Sequence, residues 1–324
     1  MFKNTTFIIR SVRERTEPLC KHLILEQGVY EEDVFVVREV PFSASMKRSF
    51  EIGIEQGKKW TFCIDADVLL RPRSIDKMLK FAEKQNNNVC EVQGFILDKF
   101  FAGPRQAGNH LYRTSLLPEV LRRIPEEGTD IRPESYTLAK MKKDGYPIAK
   151  YLGIIGTHDD EQYNFDIYRK AFVQAVKHLD RAELLITHWK NNINIDPDFT
   201  VALQAFSDSI KNTSEVFINH KQNLYMEMFE KAGFREKDPI EINLFTPESI
   251  ENRINNWNIP DLYYKLHPNS QGLDSKVQSA KRRMASSIKK RGIFSTGLLI
   301  LGNSFTRIGK SLIASIPHSK FKNI

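Results

Sequence analysis

The stretch Trp60-Thr-Phe-Cys-Ile-Asp65-Ala-Asp67 decides the fold of this chain. Its first five residues are mostly aromatic, apolar or β-branched, which predicts a buried strand, and two carboxylates follow where that strand ends. Carboxylates two residues apart on a strand-end turn can both reach one divalent cation, which could bridge to substrate phosphates. Because a solvated acidic turn gives the same short pattern, the flanking sequence has to decide between the two readings.

Strands and helices alternate on the N-terminal side of this stretch. Thr6–Arg10 and Val34–Val37 are predicted strands, while Glu14–Glu26 and Ser45–Gln56 have the apolar spacing of helices. This β-α-β-α-β order predicts an α/β fold with a parallel sheet covered by helices. Ligands of such sheets bind at the carboxyl ends of the strands, which is where Asp65 and Asp67 lie.

The pattern changes further along the chain. A strand is predicted over Val89–Leu97, and helices are predicted over Ser74–Asn86, Ser115–Ile124, Glu134–Asp144 and Tyr163–Leu179. From about residue 180 the strand pattern disappears and the sequence is helical and polar. We therefore predict a catalytic domain over 1–178, a helical extension over 179–274 and a separate tail over 275–324.

The ordered series of motifs resembles the GT-A glycosyltransferases, in particular the family-2-like kind, over about residues 5–170. The resemblance rests on the loop 8–16 after the first strand, on Asp65-Ala66-Asp67, on Asp130–Glu134 before a helix, and on the late strand 153–159. Two features depart from the family pattern. Where many relatives have an Asp pair and a Ser, this chain has Val37-Arg-Glu-Val-Pro-Phe-Ser43, and the acids Asp130 and Glu134 are four residues apart rather than adjacent.

The resemblance implies a GT-A (Rossmann-like) domain that binds a nucleotide-sugar. It further implies a metal-dependent hexosyltransferase, as used in polysaccharide biosynthesis, that passes the sugar with inversion to a hydroxyl of a glycan or lipid-linked acceptor. Asp67 and His158 would hold Mn²⁺ or Mg²⁺, with Asp65 between metal and ribose. The cation would neutralise the charge that develops on the leaving diphosphate.

An inverting displacement also needs one carboxylate to deprotonate the acceptor hydroxyl. Glu134 is the first candidate, because Pro133 can open its helix and leave the side chain at the helix N-terminus. Asp130 is the second candidate. The predicted acceptor contacts are His110 and Arg113, and the predicted donor contacts are Arg10, Ser11, Arg13, Glu39, Lys47, Asp65 and Asp67. The alternative for each is an ordinary surface or structural role.

Charge separates the last 50 residues from the rest of the chain. Residues 275–324 contain eleven Lys and Arg and no Asp or Glu, which leaves residues 1–274 at a net −3 although the whole chain carries +8. Within the tail, 276–316 combine a basic cluster with a helical apolar stripe, which predicts binding to an anionic membrane surface. The alternative is packing of the stripe on the protein itself. Nucleic-acid binding is not predicted, because aromatic residues for base stacking are missing from the basic cluster.

Other features indicate a cytoplasmic protein, peripheral at the inner face of the membrane. The three cysteines are odd in number and widely spaced, and the sequence shows neither a signal peptide nor a membrane-spanning apolar run. Two other functions compete with the transferase. One is a haloacid-dehalogenase-like phosphatase with Asp65 as nucleophile and Asp67 as acid, although Leu69 stands where that family has Thr or Val. The other is a non-catalytic, membrane-associated protein with a transferase fold.

Overall fold

The structure is a computed structural model that describes residues 2–130, 132–212, 223–257, 259 and 263–264. The chain divides into two compact units, Met1–Ser270 and Gln271–Ile324. The predicted amphipathic tail, 276–316, lies outside the described residues. The predicted divisions after residues 178 and 274 therefore remain predictions.

Eight strands of the described part form one mixed sheet. They are β1 Thr5–Arg10, β2 Val34–Val37, β3 Trp60–Asp65, β4 Val68–Leu70, β5 Glu91–Asp98, β6 Gly103–Arg105, β7 Asn109–Arg113 and β8 Ile148–His158. The order is β2-β1-β3-β7-β5-β8-β4, with β6 paired to β5. Strands β1, β2 and β3 run parallel, β7 is antiparallel to β3, and β8 runs parallel to β5 and antiparallel to β4. The predicted α/β class is confirmed.

Ten α-helices accompany the sheet within the described residues. They are α1 Glu17–Leu25, α2 Phe42–Gln56, α3 Ser74–Ala82, α4 Leu117–Leu121, α5 Pro133–Lys143, α6 Asn164–Lys177, α7 Ala182–Asn192, α8 Asp198–Lys211, α9 Asn223–Ala232 and α10 Pro247–Asn255. Most predicted helices are present with shifted ends. The short strands β4 and β6 were not predicted, because three residues carry too little periodicity to be recognised.

The central strands are buried because helices cover both faces of the sheet. Along β1, Phe7 and Ile9 enter one hydrophobic cluster while Ile8 enters another, and Phe62 and Cys63 of β3 divide in the same way. This alternation is the two-residue period of a strand, with each face apolar because each is covered. The three cysteines are free and buried within these layers.

The helices α6–α9 pack together around a second group of aromatic side chains. Trp189 of α7 is fully buried and donates its Nε1 hydrogen to the backbone oxygen of Phe100 at 2.8 Å. Phe172 of α6 and Phe206 of α8 belong to the same cluster. The helices therefore pack against the connection that follows β5, which fixes α6 close to the strand ends. No helix among the described residues has both the length and the apolar character needed to cross a membrane.

Strand register brings the predicted site residues together. Arg10, the last residue of β1, pairs with Asp65, the last residue of β3. After Asp67 the chain enters β4, where Val68 pairs with His158 at the end of β8. The first and last parts of the domain therefore meet at one edge of the sheet, although more than 90 residues separate Asp67 from His158.

Candidate functional site

A cavity of about 230 Å³ opens at the carboxyl ends of β1, β3 and β8. Six residues predicted from the sequence line it: Arg10, Ser11, Glu39, Asp65, Asp67 and His158. The loops after β1 and β2 form one wall, and α6 forms the other. The predicted donor residues Arg13 and Lys47 are exposed and do not line this cavity.

Three buried residues within this cavity could hold a metal ion. Asp67, His158 and Asp159 each offer one ligand atom, and these atoms lie within 4.8 Å of one another. The Asp159 backbone N–H donates to the Asp67 backbone oxygen at 3.1 Å, which ties the two turns together. The set differs from the predicted one in one member, since it contains Asp159 and not Asp65.

His158 lies among three carboxylates. Its Nδ1 lies 2.9 Å from Asp98 Oδ2 and 3.0 Å from Asp159 Oδ2, while its Nε2 faces Asp67 Oδ1 at 3.4 Å. A carboxylate behind a histidine fixes the orientation of the ring and is the usual support of a metal-binding imidazole. Burial opposes protonation of His158, but the charges of Asp159 and Asp67 raise its pKa well above the ordinary value. Without a metal, His158 is therefore a cation.

Lys170 of α6 supplies a second cation to the same cluster. Its Nζ contacts Asp67 Oδ2 and lies 2.5 Å from Asp159 Oδ1. Although burial works against ionisation, Lys170 and His158 together lower the pKa of both Asp67 and Asp159. Lys170 thus neutralises the two carboxylates that a divalent cation would otherwise neutralise.

The donor set suits a divalent metal ion. Two carboxylates and one imidazole are common ligands of such ions. In addition, Asp67 Oδ1 is buried and makes no hydrogen bond to any residue that the structure describes. A buried carboxylate oxygen without a hydrogen bond is costly and leaves coordination capacity free.

Asp65 belongs to a second buried network, which has Arg10 at its centre. The Arg10 guanidinium donates to Asp65 Oδ1 at 2.8 Å and to Glu134 Oε1 at 2.8 Å. Glu134 also accepts from Tyr112 Oη at 2.7 Å and lies 2.9 Å from His110 Nε2. Burial favours the neutral acid, but Arg10 and His110 lower the pKa of Glu134. Glu134 is therefore ionised, fully engaged and a weak base in this arrangement.

The second predicted base has a different position. Asp130 is partly exposed and accepts a hydrogen bond from the Arg132 backbone N–H at 2.6 Å. The Arg132 guanidinium in turn lies 3.1 Å from His178, next to the cavity residue Lys177. Neither Asp130 nor Glu134 is among the residues that line the cavity.

The predicted acceptor residues His110 and Arg113 do not line the cavity. His110 Nδ1 lies 2.5 Å from Glu91, so His110 sits between two carboxylates. Arg113 pairs with Trp60, the first residue of β3, and donates to the Asn86 backbone oxygen at 3.1 Å. The predicted acceptor contact of Arg113 is corrected here, because Arg113 lies at the end of β3 opposite to Asp65.

Sequence reasoning did not identify several residues that line the cavity. Glu14 accepts hydrogen bonds from Ser11 Oγ at 2.8 Å and from the Val12 N–H at 2.7 Å, and burial together with Asp67 raises its pKa to about 7. The others are Asp159, Arg169, Lys170, Gln174 and Lys177. The spacing of the last four on one predicted helix was an available signal, because it places them on a single face.

No family model and no curated protein matches the chain. Solved structures do. One is a glycosyltransferase involved in glycosylation of the major capsid of PBCV-1, at 15% identity over 45% of this chain and 81% of that one, with a TM-score of 0.33. Another is a mannosyltransferase from Pyrobaculum calidifontis in complex with GDP-Man and Mn²⁺, at 13% identity over 78% and 84%, with a TM-score of 0.34.

A third match is a CMP:2-keto-3-deoxy-manno-octonic acid synthetase complexed with CTP, at 12% identity over 55% of this chain and 99% of that one, with a TM-score of 0.36. All three matches have identities of 15% or less and TM-scores below 0.5.

Proposed function

We propose that this chain is a metal-dependent glycosyltransferase that moves a sugar, a hexose, from a nucleotide-diphosphate donor to a hydroxyl of a glycan or lipid-linked acceptor, with inversion. The observation that carries the proposal is the cluster of Asp67, His158 and Asp159, whose ligand atoms lie within 4.8 Å of one another in a cavity at the carboxyl ends of the strands. Ligands of open α/β sheets bind at this edge.

Asp67, His158 and Asp159 would hold Mn²⁺ or Mg²⁺, and Asp65 is the fourth candidate. The ion would supply Lewis-acid neutralisation of the leaving diphosphate. The resident cation Lys170 contacts the carboxylates of Asp67 and Asp159. Lys170 therefore lies beside the metal ligands in the wall of the cavity, where its charge would also attract the donor phosphates.

We assign the nucleoside end of the donor to the cavity wall opposite α6. Arg10, Ser11 and Glu39 line it, and the Arg10 guanidinium lies 4.9 Å from the centre of the Phe42 ring. Glu39 is exposed and offers acceptor oxygens to ribose or base hydrogens. Arg13 and Lys47, both exposed, would reach the donor only from outside the cavity.

For the base we propose Asp130 over Glu134. The Glu134 carboxylate is occupied by Arg10, His110 and Tyr112, and its lowered pKa makes proton abstraction unfavourable. Its effect on the site would be indirect, through Arg10 and Asp65. Asp130 is partly exposed, so its carboxylate is open to an acceptor hydroxyl. Asp130→Asn should abolish release of nucleotide diphosphate from a panel of nucleotide-sugars yet keep nucleotide binding; full turnover in this variant would remove Asp130 from the role.

The function is tested by thermal shift with nucleotide diphosphates in the presence and absence of Mn²⁺. We expect at least one nucleotide diphosphate to raise the melting temperature with Mn²⁺ and much less without it, because a ligand that binds only the folded state stabilises it. Asp67→Asn should lose the Mn²⁺-dependent part of this increase in melting temperature. Asp76→Asn, which removes a surface carboxylate paired with Lys80 on α3, should retain it.

Two results would contradict the proposal. One is a melting temperature that no nucleotide changes, with or without metal. The other is phosphatase activity on a small phosphate ester that Asp65→Asn abolishes, which would favour the haloacid-dehalogenase-like alternative.

A further inference from the structure

One face of α6 carries charged residues in addition to Lys170, the lysine that pairs with the metal cluster. Arg169, Lys170, Val173, Gln174 and Lys177 all line the cavity. Their spacing of one, three, one and three residues places them on a single helical face. Lys170 is neutralised by two carboxylates of the metal cluster. The other polar residues of this face have no role in the proposed chemistry.

The polar groups of this face are buried or half-buried, and they are incompletely paired. Arg169 is 8% exposed and donates from Nη2 to Asp166 Oδ1 at 3.2 Å, but its Nε makes no hydrogen bond to the described residues. Oε1 of Gln174 likewise makes no hydrogen bond to the described residues. Rotation of the side-chain amide by 180° would present its N–H group at the same place. The Lys177 ammonium has no carboxylate within ion-pair distance among the residues that the structure describes. Buried donors without partners are costly unless a ligand completes them.

Further cations surround the end of this helix. Arg132 approaches it from the N-terminus of α5 and lies 3.1 Å from His178, the residue after Lys177. Arg105 approaches from β6. Burial and the charges of Arg132, Arg105 and Arg169 lower the pKa of Lys177 to about 7, and no carboxylate contributes in the opposite direction. Of these cations, Arg105 is paired with Asp98 and Arg169 with Asp166. Lys177 and Arg132 have no carboxylate within ion-pair distance among the described residues, and such unmatched positive charge at a cavity wall attracts an anion.

In the proposed function, the negative charge of the donor diphosphate is neutralised in another part of the cavity. The proposed metal ligands and Lys170 neutralise a diphosphate at the strand-end side of the cavity, where Asp67 and Asp159 lie. Lys177 lies at the last turn of α6, seven residues beyond Lys170, and Arg132, two residues after the proposed base Asp130, lies 3.1 Å from the adjacent His178. An acceptor has to enter from the side of the base that deprotonates it.

We infer that Arg169 and Lys177, with Arg132 next to His178, bind an oxyanion carried by the acceptor, a phosphate or a carboxylate. The inference rests on the proposed function and names its acceptor class. An arginine fork and an ammonium suit either group, because both present at least two acceptor oxygens to charged donors. The acceptor would thus be an acidic sugar or a phosphate-bearing glycan or lipid.

The test is titration calorimetry of the full chain with inorganic phosphate and with glucuronate. Each titration is repeated on protein saturated with a nucleotide diphosphate and Mn²⁺, so that the donor site is filled. We expect one of the two probes to bind, and to keep its affinity when the donor site is filled. Arg169→Gln/Lys177→Gln should weaken that probe at least tenfold and change the affinity for nucleotide diphosphate with Mn²⁺ less than twofold. The probe that binds more tightly identifies the group.

Lys211→Gln is the matched control. Lys211 ends α8 as Lys177 ends α6, each helix has 14 residues, and Lys211 is exposed. Its replacement removes the same charge from the same helical position and should leave the affinity for the probe unchanged. An equal loss in Lys211→Gln would show that net charge, and not a site, is responsible, and would overturn the inference. Circular dichroism checks that each variant is folded.

Two further outcomes would overturn the inference. One is that neither probe binds the wild-type chain at millimolar concentration. The other is that the double variant loses nucleotide-diphosphate binding as strongly as probe binding, which would assign the cations to the donor. Failure of the proposed function gives a different result. In that case no nucleotide diphosphate binds the wild-type chain, while probe binding still depends on Lys177 and the anion site stands.

Discussion

Arg10 shows at the scale of one residue how this site is held together. It is 3% exposed, and its guanidinium reaches Asp65 on one side and Glu134 on the other. Burial lowers the affinity of Arg10 for its proton, but the two carboxylates raise its pKa well above the ordinary value, so the charge is permanent. A buried charge pair of this kind contributes orientation more than net stability, whereas removal of one partner is strongly destabilising.

His110 gives this network a testable pH dependence. Burial opposes its protonation, but Glu134 and Glu91 raise its pKa to about 10. The folded state therefore binds a proton more tightly than the unfolded state, whose histidine has a pKa of about 6.5. The stabilisation is complete below about pH 6.5 and is lost as the pH rises towards 10, at up to about 1.4 kcal/mol per pH unit.

Urea unfolding of the wild-type chain and of His110→Gln at pH 6.5 and pH 9.5 measures this effect. Lys177 titrates in the same range in the opposite sense, because its pKa is lowered to about 7. The difference between the two proteins isolates His110. We expect the wild-type chain to lose more stability than the variant over this interval; equal losses would show that His110 is neutral in the folded state.

At the scale of the element, α6 serves the site through one face and the core through another. Tyr168 and Phe172 are fully buried in the aromatic cluster of the helical region. The residues between them, Arg169 and Lys170, face the cavity because 3.6 residues per turn separate neighbours by about 100°. The same packing that buries the aromatic rings therefore sets the position of the Lys170 ammonium at the metal ligands.

Lys170→Gln should bind Mn²⁺ more tightly than the wild-type chain. In the absence of metal the Lys170 ammonium contacts oxygen atoms of Asp67 and Asp159 that the ion requires. Removal of this competitor leaves two buried carboxylates without their strongest cation, so we expect a decrease in the Mn²⁺ dissociation constant of roughly tenfold, equivalent to about 1.4 kcal/mol. Electron paramagnetic resonance of free Mn²⁺ measures it directly.

Lys190→Gln is the control for this prediction, since Lys190 is an exposed lysine of α7. It should leave the dissociation constant unchanged. Weaker Mn²⁺ binding in Lys170→Gln would mean that Lys170 supports the metal ligands instead of competing with the ion.

At the scale of the whole molecule, charge divides along the chain. The metal cluster and its cavity lie in the first 178 residues, whereas the excess of positive charge lies in 275–324. A tail rich in Lys and Arg gains roughly 1 kcal/mol per basic residue near an anionic bilayer. We therefore propose that the tail determines location and that the folded body determines chemistry.

Removal of residues 275–324 should abolish sedimentation with vesicles that contain anionic lipid and leave the Mn²⁺-dependent nucleotide-diphosphate affinity within twofold. Vesicles of neutral lipid are the control, because the electrostatic part of the attraction disappears with them. If the truncated chain lost nucleotide binding and cooperative unfolding as well, the apolar stripe would be part of the folded core.

Local periodicity predicted the α/β class, the strands that end at Arg10 and Asp65, and the position of Asp67 just after Asp65, because a buried strand of five or six apolar residues is visible in the chain itself. The late strand that ends at His158 was expected from the family resemblance and not from periodicity. The strands Gly103–Arg105 and Asn109–Arg113 were not predicted. Their pairing depends on neighbours that periodicity does not show.

Only the tertiary structure decided which acids meet. Asp159 joins Asp67 because β4 runs antiparallel to β8, while Asp65, two residues earlier, turns to Arg10. Strand order also placed Arg113 at the far end of the sheet, and helix packing brought Lys170 to the carboxylates. The position of a residue in the sequence determines at which end of a strand it lies. Its side-chain partners depend instead on long-range packing, which here brings residues more than 90 positions apart to the same charged group.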